Sequence, residues 1–116
     1  MKQDPDCLFC RIIAGDIPSD KVYEDQHVLA IRDIHPVAPF HVLVIPKSHS
    51  ANFMEMTAAE PDMAQHLLAA IQNIVEQEKL HKGYRLITNI GAEGGQSVFH
   101  THVHLIAGPK LTTEGL

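Results

Sequence analysis

Three histidines occupy every second position in the segment FHTHVHLIAG, residues 99–108. In a β-strand successive side chains point to opposite faces, so His100, His102 and His104 are predicted to share one face. On a helix the same residues would spread by about 100° per position and could not converge. A neutral imidazole can act near pH 7 as a nucleophile, a general base or a metal ligand. The spacing therefore indicates a strand with an imidazole face; the alternatives are a histidine-rich solvated face or a lone structural metal site.

A glycine-rich loop, GAEGGQS at residues 91–97, lies directly before these histidines. Glycine allows a sharp turn in which backbone N–H groups point at an anion such as a phosphate. A Gly-Gly pair is also a common hairpin turn, so the loop alone does not distinguish the two roles. Together with the imidazole face, the loop favours a phosphate-binding site.

The only two cysteines, Cys7 and Cys10, form one C-x-x-C motif. In a reducing compartment this spacing indicates metal or redox chemistry more often than a structural disulfide. Two thiolates from one helical turn would supply half of a tetrahedral zinc site. A pair of buried thiols without a metal is one alternative. A redox motif is another, although this motif opens a helix with no strand before it, unlike a thioredoxin-type site.

The first half of the chain contains one short helix and three strand-like runs. CLFCRIIAGDIP, residues 7–18, has the apolar spacing of a short amphipathic helix that stops at Gly15. KVYED and VLAIRDI are rich in β-forming residues and are separated by the turn-like pair Asp25-Gln26. The next strand is predicted at His41–Ile45, where the continuous apolar run Val42–Ile45 indicates burial on both faces.

The second half of the chain changes period. From Thr57 to about Leu80 the apolar residues form one helical stripe. Thr57 and Glu60 have the spacing of a capping box, but Pro61 leaves the first residue of the helix undecided. The pair Lys82-Gly83 is predicted to end the helix. Two strands follow, YRLITNIG at 84–91 and HTHVHLIA at 100–107. This order predicts an α+β fold, a mostly antiparallel five-stranded meander sheet with one short helix and one long helix across a face.

Size and charge restrict the classes of partner. At 116 residues the chain is predicted to form a single domain, residues 1–116. The net charge is −5 and no Lys/Arg run is present, which argues against a nucleic acid backbone as partner but leaves a small phosphorylated ligand open. The first residues, MKQDPDCLFC, lack an apolar signal region and no later run is long enough to cross a membrane. We therefore expect a cytoplasmic protein with no membrane partner.

Three separated blocks in the same order resemble the histidine triad (HIT) family of nucleotide hydrolases and transferases. The blocks are PVAPFHVLVIPKSH, NIGAEGGQSV and HTHVHLIAG. The family signature is His-φ-His-φ-His-φ-φ, where φ is apolar. Thr101 is the one departure from it, because it places a hydroxyl at the first φ position. The resemblance runs from about Asp6 to Gly108, nearly the whole chain.

The resemblance implies a purine nucleoside phosphoramidase, in which the P–N bond of an AMP–amine is hydrolysed through a nucleotidyl-histidine. His102 would attack the α-phosphorus and His104 would hold a phosphate oxygen. The family pattern places further residues in catalysis, namely His100, His41 and Ser97. It places others at the nucleotide (AMP or GMP derivatives), namely Phe9, Ile12, Asp33, Ile34, Asn89, Gly95, Gln96 and Ser97, with Asp33 on the ribose hydroxyls and the apolar residues around the base. Residue type alone favours other roles for these positions: Asp33 would be a turn residue, the apolar residues would belong to the core, and His41 would be a buried histidine with its hydrogen bonds satisfied.

The same resemblance implies one structural zinc per chain, because some relatives bind zinc through four equivalent positions. The ligands would be Cys7, Cys10, His49 and His100. A zinc on His100 would fix the end of the histidine strand and thereby position His102. His100 cannot use one ring nitrogen for both zinc and His41, so these two expected contacts compete.

The family also pairs its domains through the long helix and a neighbouring strand, so we expect a homodimer. Selective phosphoramidases in the family often extend past the last strand to an aromatic residue, whereas this chain ends GPKLTTEGL and has no Trp. The sequence therefore does not identify which leaving group the enzyme prefers. A dinucleoside polyphosphate hydrolase, a nucleotidyl transferase and a non-catalytic zinc- or nucleotide-binding protein remain the alternatives.

Overall fold

One antiparallel sheet of five strands dominates the computed structural model, which describes residues 1–109 and 111. The strands are β1 (Lys21–Glu24), β2 (Val28–Arg32), β3 (Phe40–Pro46), β4 (Arg85–Ile87) and β5 (Val103–Ala107). Their order across the sheet is β1-β2-β3-β5-β4, so the first three form a meander and β5 lies between β3 and β4. The α+β class and the five antiparallel strands are confirmed. Most of the ending GPKLTTEGL lies outside the described residues.

Strand β3 is buried on both faces, as its sequence predicts. Val42 and Val44 belong to the core that packs against the long helix, α3 (Pro61–Glu78). Leu43 and Ile45 belong to the core on the opposite face, beneath the short helix α1 (Leu8–Ile13). Side chains alternate along a strand, so a continuous apolar run fills both cores. The sheet is therefore a central layer, with α1 on one face and α3 on the other.

The predicted helix from Thr57 to Leu80 is wrong at its start, because two helices occupy this region. Helix α2 (Phe53–Ala59) ends at Glu60, whose φ of −138° and ψ of 76° are not helical, and Pro61 begins α3 at its first position. A proline has no N–H and clashes with the preceding turn, so it begins a helix more readily than it continues one. Thr57 donates to Met54 O inside α2 and forms no capping box with Glu60.

The cap of α2 lies five residues earlier than the predicted one. Asn52 Oδ1 accepts from the Glu55 N–H at 3.0 Å, and Asn52 Nδ2 donates to Glu55 Oε2 at 3.1 Å. An N-cap residue three positions before a Glu is the signal that sequence reasoning missed here. In the described residues, no helix combines the length and apolar character needed to cross a bilayer.

The carboxyl end of α3 also differs from the prediction. The helix stops at Glu78, and Lys79 takes a left-handed conformation with φ of 57°. The Leu80 N–H then donates to Val75 O at 3.0 Å, which closes the helix before Lys82-Gly83 is reached. The predicted apolar stripe is confirmed, and its buried members are Met63, Leu67, Ala70, Ile71, Ile74 and Val75.

The last strand begins at Val103, three residues later than predicted, because residues 100–102 bind other parts of the chain. The Thr101 N–H donates to Ser50 O at 2.9 Å, and the Thr101 hydroxyl contacts Ser50 Oγ at 2.8 Å. The ring of His100 contacts Pro46 O. Strand β4 is likewise shorter than its predicted range, 84–91. Alternation nevertheless persists, since Val103 and Leu105 enter the α3 core while the histidines face the other side.

Candidate active site and metal centre

His102 has one ring nitrogen committed to the backbone. Its Nδ1 lies 2.7 Å from the carbonyl oxygen of His100, so Nδ1 carries the hydrogen and donates. The neutral ring therefore has its lone pair on Nε2. The edge of Phe9 packs against this ring at 5.1 Å between centroids and 88° between planes. His102 is 6% exposed, so its ring is almost entirely buried.

His104 belongs to a chain of contacts with His41 and Asp33. His41 Nε2 lies 2.9 Å from His104 Nδ1 and 3.4 Å from Asp33 Oδ2. The other nitrogen of His41, Nδ1, accepts from the Val37 N–H at 3.2 Å. His41 therefore contacts His104 rather than His100, and the expected competition between zinc and His41 for one nitrogen of His100 does not arise.

Burial keeps the two site histidines neutral. Burial lowers the pKa of His102 below its ordinary value of 6.5. Burial also lowers the pKa of His104; the neighbouring His102 and His41 lower it further, and Asp33 partly opposes the shift. Neutral imidazoles offer both an unprotonated nitrogen and an N–H donor at physiological pH.

The glycine loop is held by the side chain of Gln96. Gln96 Oε1 accepts from the Gly91 N–H at 2.9 Å, and Gln96 Nε2 donates to Ala51 O and Val98 O at 2.6 and 3.0 Å. Gly95 has φ of 91°, a conformation that strains any residue with a Cβ. The side chain of Gln96 is thus engaged with three backbone groups, so the predicted nucleotide contact of Gln96 would involve its own backbone. Gly94, Gly95 and Ser97 are exposed.

The predicted base and ribose residues fall into two groups. Phe9 and Ile12 are buried in the core beneath α1, whereas Ile34 is 86% exposed and packs against little. Asp33 Oδ1 accepts from the His35 N–H at 2.8 Å, so its turn role is present, and its other oxygen faces His41. Asn89 is half-buried just after β4.

Two positioning contacts were not predicted. Thr88 Oγ1 donates to the carbonyl oxygen of His102 at 2.9 Å, and the Val37 N–H binds His41. The Thr88 side chain lies 14 residues before the backbone group that it binds, and the His41 side chain binds a backbone group across a loop. Sequence patterns carry no signal for such pairs, because strand register and loop shape decide them.

The four predicted metal ligands converge. Cys7 Sγ, Cys10 Sγ and one nitrogen each of His49 and His100 all lie within 4.8 Å of one another. His100 Nδ1 is 3.3 Å from Cys7 Sγ, 3.5 Å from Cys10 Sγ and 3.1 Å from His49 Nδ1. A tetrahedral zinc with Zn–S of about 2.3 Å and Zn–N of about 2.0–2.1 Å separates its ligand atoms by roughly 3.3–3.8 Å. The donor types and their spacing therefore fit a four-coordinate metal ion.

The protonation of this cluster also suits a cation. His100 Nε2 donates to Pro46 O at 2.8 Å, which leaves the Nδ1 lone pair among the other three ligand atoms. Burial lowers the pKa of His100 to about 4, so its ring is neutral, and burial raises the pKa of the Cys10 thiol to about 11. A bound metal ion would reverse the second effect by stabilising the thiolate. The ring of His100 is fully buried in this cluster, so only His102 and His104 of the three alternating imidazoles belong to the candidate active site.

A second group of three ligand atoms, on Asp33, His41 and His104, also lies within 4.8 Å. Hydrogen bonding pairs these atoms already, since an N–H of one histidine can donate to the nitrogen of the other. The Cys/His cluster is therefore the stronger metal candidate.

Comparison with known proteins gives consistent matches along the chain. A family model described as the HIT domain matches residues 14–111. A HIT family hydrolase from Clostridium thermocellum has a solved structure that is 43% identical with a TM-score of 0.92, covering 98% of this chain and all of that one. A 14 kDa zinc-binding protein from Brassica juncea is 44% identical over 108 residues, 91% of this chain and 96% of the relative. A structure described as a hypothetical histidine triad nucleotide-binding protein from Sulfolobus tokodaii is 41% identical with a TM-score of 0.76, covering 87% of this chain and 68% of that one.

Proposed function

Because this chain belongs to the HIT family, we propose that it hydrolyses purine nucleoside 5′-phosphoramidates to a nucleoside monophosphate, such as AMP, and an amine. The observation that carries the proposal is the fixed state of His102. Its Nδ1–H is bound to His100 O, so a lone pair remains on Nε2 of a buried, neutral ring. A nucleophile that is neutral and oriented before substrate arrives is what covalent catalysis at phosphorus requires.

In the first step the lone pair of His102 Nε2 forms a bond to the α-phosphorus as the P–N bond breaks. The amine leaves and takes up a proton from solvent, and the nucleotide remains on the ring as a nucleotidyl-histidine. In the second step water attacks the same phosphorus and gives a proton back to solvent, the P–N bond to His102 breaks, and the nucleoside monophosphate is released. Two displacements divide one difficult hydrolysis into two easier reactions.

Stabilisation of charge on the phosphate would come from His104 and the glycine loop. A neutral His104 whose Nδ1 accepts from His41 carries its hydrogen on Nε2, which can donate to a phosphate oxygen. The exposed Ser97 and the amides of Gly94 and Gly95 supply further donors, and Asn89 borders them. Phosphoryl transfer depends mainly on such positioning and charge stabilisation.

The nucleoside would lie against α1 and the loop after β2. Asp33 would accept from the ribose hydroxyls while it faces His41. Phe9 and Ile12 form the buried floor, and the exposed Ile34 would cover the base. Burial of an 86% exposed isoleucine against a purine gives this contact its driving force.

The Cys/His cluster would hold a structural zinc through Cys7, Cys10, His49 and His100. With four protein ligands such a site is closed, so zinc would stabilise the fold and activate no water. His100 would then be a positioning residue, since its carbonyl oxygen orients His102. Both cysteines are free thiols in the structure, which suits the reducing cytoplasm.

The chain would pair with a second copy through α3 and β4. Strand β4 lies at an edge of the sheet. Leu86 of this strand is 44% exposed, and Leu68 of α3 is 51% exposed. A hollow of about 170 Å³ between α3 and β4 is lined by these residues together with Phe53, Leu67, Ile71, Thr88 and Val103. An exposed apolar strand edge is a site for pairing with another chain.

The decisive experiment removes the nucleophile. We expect His102→Ala to lower kcat for a fluorogenic adenosine phosphoramidate by at least about 10³-fold, while AMP binding changes little. Quenching the wild type in alkaline denaturant, where the P–N bond to histidine survives, with a radiolabelled substrate should trap up to one nucleotide on the protein, and His102→Ala should trap none. The exposed His81 provides a matched control, since His81→Ala should keep both properties. Normal turnover by His102→Ala would overturn the covalent mechanism.

A substrate panel tests the leaving group. Adenosine and guanosine phosphoramidates should have higher kcat/KM values than diadenosine polyphosphates. A reversed ranking would identify a polyphosphate hydrolase instead. Tight AMP binding with no turnover of any substrate would identify a non-catalytic binding protein.

A further inference from the structure

The backbone amide of Val37 contacts the imidazole network from outside the histidine segment. Val37 lies in the loop between β2 and β3, and its side chain is 73% exposed. Its N–H donates to His41 Nδ1 at 3.2 Å. We infer that this amide is a positioning group that fixes which nitrogen of His104 carries hydrogen. The catalytic consequence rests on the proposed function, but the structural inference does not.

The hydrogen bonds from Val37 to His41 and from His41 to His104 leave one combination of tautomers for the two neutral rings. Since His41 Nδ1 accepts from Val37, the hydrogen of neutral His41 is on Nε2. This Nε2–H faces His104 Nδ1 at 2.9 Å, so His104 Nδ1 accepts and the hydrogen of His104 is on Nε2. One backbone N–H thus determines the tautomer of a ring that it does not touch.

Asp33 is the competing acceptor for the His41 Nε2–H, and distance favours His104. The Asp33 Oδ2 distance is 3.4 Å, beyond the usual range for a strong N–H···O bond, whereas the His104 Nδ1 distance is 2.9 Å. Asp33 Oδ1 is also engaged by the His35 N–H. The carboxylate therefore attracts the N–H electrostatically without displacing His104 as its acceptor.

The loop around Val37 is held in place by several independent contacts. The Asp33 N–H donates to His41 O at 3.0 Å, which closes the loop at its base. Pro36 and Pro39 restrict the backbone on either side of Val37. Pro39 in turn lies against Gly108, where an added Cβ would be 2.7 Å from the proline ring. The amide is therefore fixed by the fold.

Loss of this N–H would free both rings. His41 could then carry its hydrogen on Nδ1, and His104 would donate from Nδ1 and present a lone pair on Nε2. A lone pair facing a phosphate oxygen is repulsive, so the transition state would lose one hydrogen bond. A lost hydrogen bond of this kind lowers kcat by roughly tenfold.

The test replaces one atom. Cell-free translation with the α-hydroxy acid analogue of valine at position 37 converts the amide N–H to an ester oxygen and keeps the side chain. The alanine analogue at position 38 is the matched control, because it places an ester in the same loop and leaves the Val37 N–H intact. The first readout is the pair of ring ¹⁵N chemical shifts of His104 at neutral pH, without substrate.

We expect wild type and the position 38 ester to show hydrogen on His104 Nε2, and the position 37 ester to show a mixture of both tautomers. A His104 with hydrogen on Nδ1 in the wild type would overturn the inference, as would an unchanged spectrum in the position 37 ester. The second readout is turnover of an adenosine phosphoramidate, where the position 37 ester should lower kcat roughly tenfold and change KM much less. If the wild type turns over no substrate, the proposed function fails while the ¹⁵N result still decides the inference.

Discussion

Zinc binding to the Cys/His cluster should raise the thermal stability of the protein by a predictable amount. A ligand that binds only the folded state stabilises it by about 2.7 kcal/mol when its free concentration is about 100 times Kd, and by about 4.1 kcal/mol at about 1,000 times. For a chain of 116 residues the entropy of unfolding is about 0.24 kcal/mol per kelvin, from about 2.1 cal/mol/K per residue. The expected increases in Tm are therefore about 11 °C and about 17 °C.

The assay is a thermal melt followed by circular dichroism, on protein purified without a polyhistidine tag. Free zinc is set by a chelator buffer, and metal analysis should find about one ion per chain. The Cys7→Ser/Cys10→Ser variant lacks both sulfur ligands and should show no zinc-dependent shift. His81→Ala is the matched control, since His81 is exposed and outside the cluster, and it should show the full shift.

Two results would refute the reasoning. One is a wild-type Tm that does not depend on zinc although the metal is bound, because a site closed by four ligands from three parts of the chain must couple to folding. The other is an equal zinc shift in the double cysteine variant, which would place the metal elsewhere.

Three further predictions follow from other parts of the structure. Because burial lowers the pKa of His102 from 6.5, the proposed nucleophile stays mostly neutral as the pH falls to 6.5, and the acidic limb of the kcat/KM–pH profile should lie below pH 6.5; a limb at or above that value would contradict the assignment. Gly108→Ala should lower the free energy of unfolding by about 1–3 kcal/mol in urea, because its Cβ would lie 2.7 Å from the Pro39 ring and its φ is 138°, whereas Gly94→Ala meets nothing within 4 Å and should lose less than about 1 kcal/mol. Leu68→Glu should convert a dimer to a monomer in light-scattering chromatography, and an unchanged mass would exclude the α3–β4 face as the interface.

The convergence of the four candidate metal ligands and the histidine face could be predicted because residue type and family pattern carry that information. Cys7, Cys10, His49 and His100 come from three distant segments, yet the structure brings all four together. Burial of β3 on both faces followed from its unbroken apolar run. These features depend on side-chain chemistry, which the sequence contains directly.

Other features depended on competition between local signals. Thr57 and Glu60 offered a capping box, but Asn52 with Glu55 and the proline at position 61 define the real helix boundaries. Lys79 ends α3 in a left-handed conformation that favours glycine, four residues before the glycine that was expected to end it. Propensity alone does not resolve such cases: directly after Lys79, Leu80 packs against the core and its N–H donates to Val75 O.

The Val37 amide and the Thr88 hydroxyl could not be predicted for a different reason. Their partners are a ring nitrogen and a carbonyl oxygen whose positions are set by loop closure and strand register. Almost any residue has a backbone N–H, so the identity of residue 37 carries no information about this contact.

The position of β5 between β3 and β4 imposes an order on the folding of the sheet. Among the residues that the structure describes, β4 pairs with β5 alone, so a chain that ends before residue 103 leaves β4 without a neighbour and one edge of β3 open. The same missing segment carries Val103 and Leu105, which fill the core under α3, as well as His104. The sheet therefore cannot close until residues 103–107 are available, and the same segment completes the hydrophobic core under α3 and adds His104 to the candidate active site.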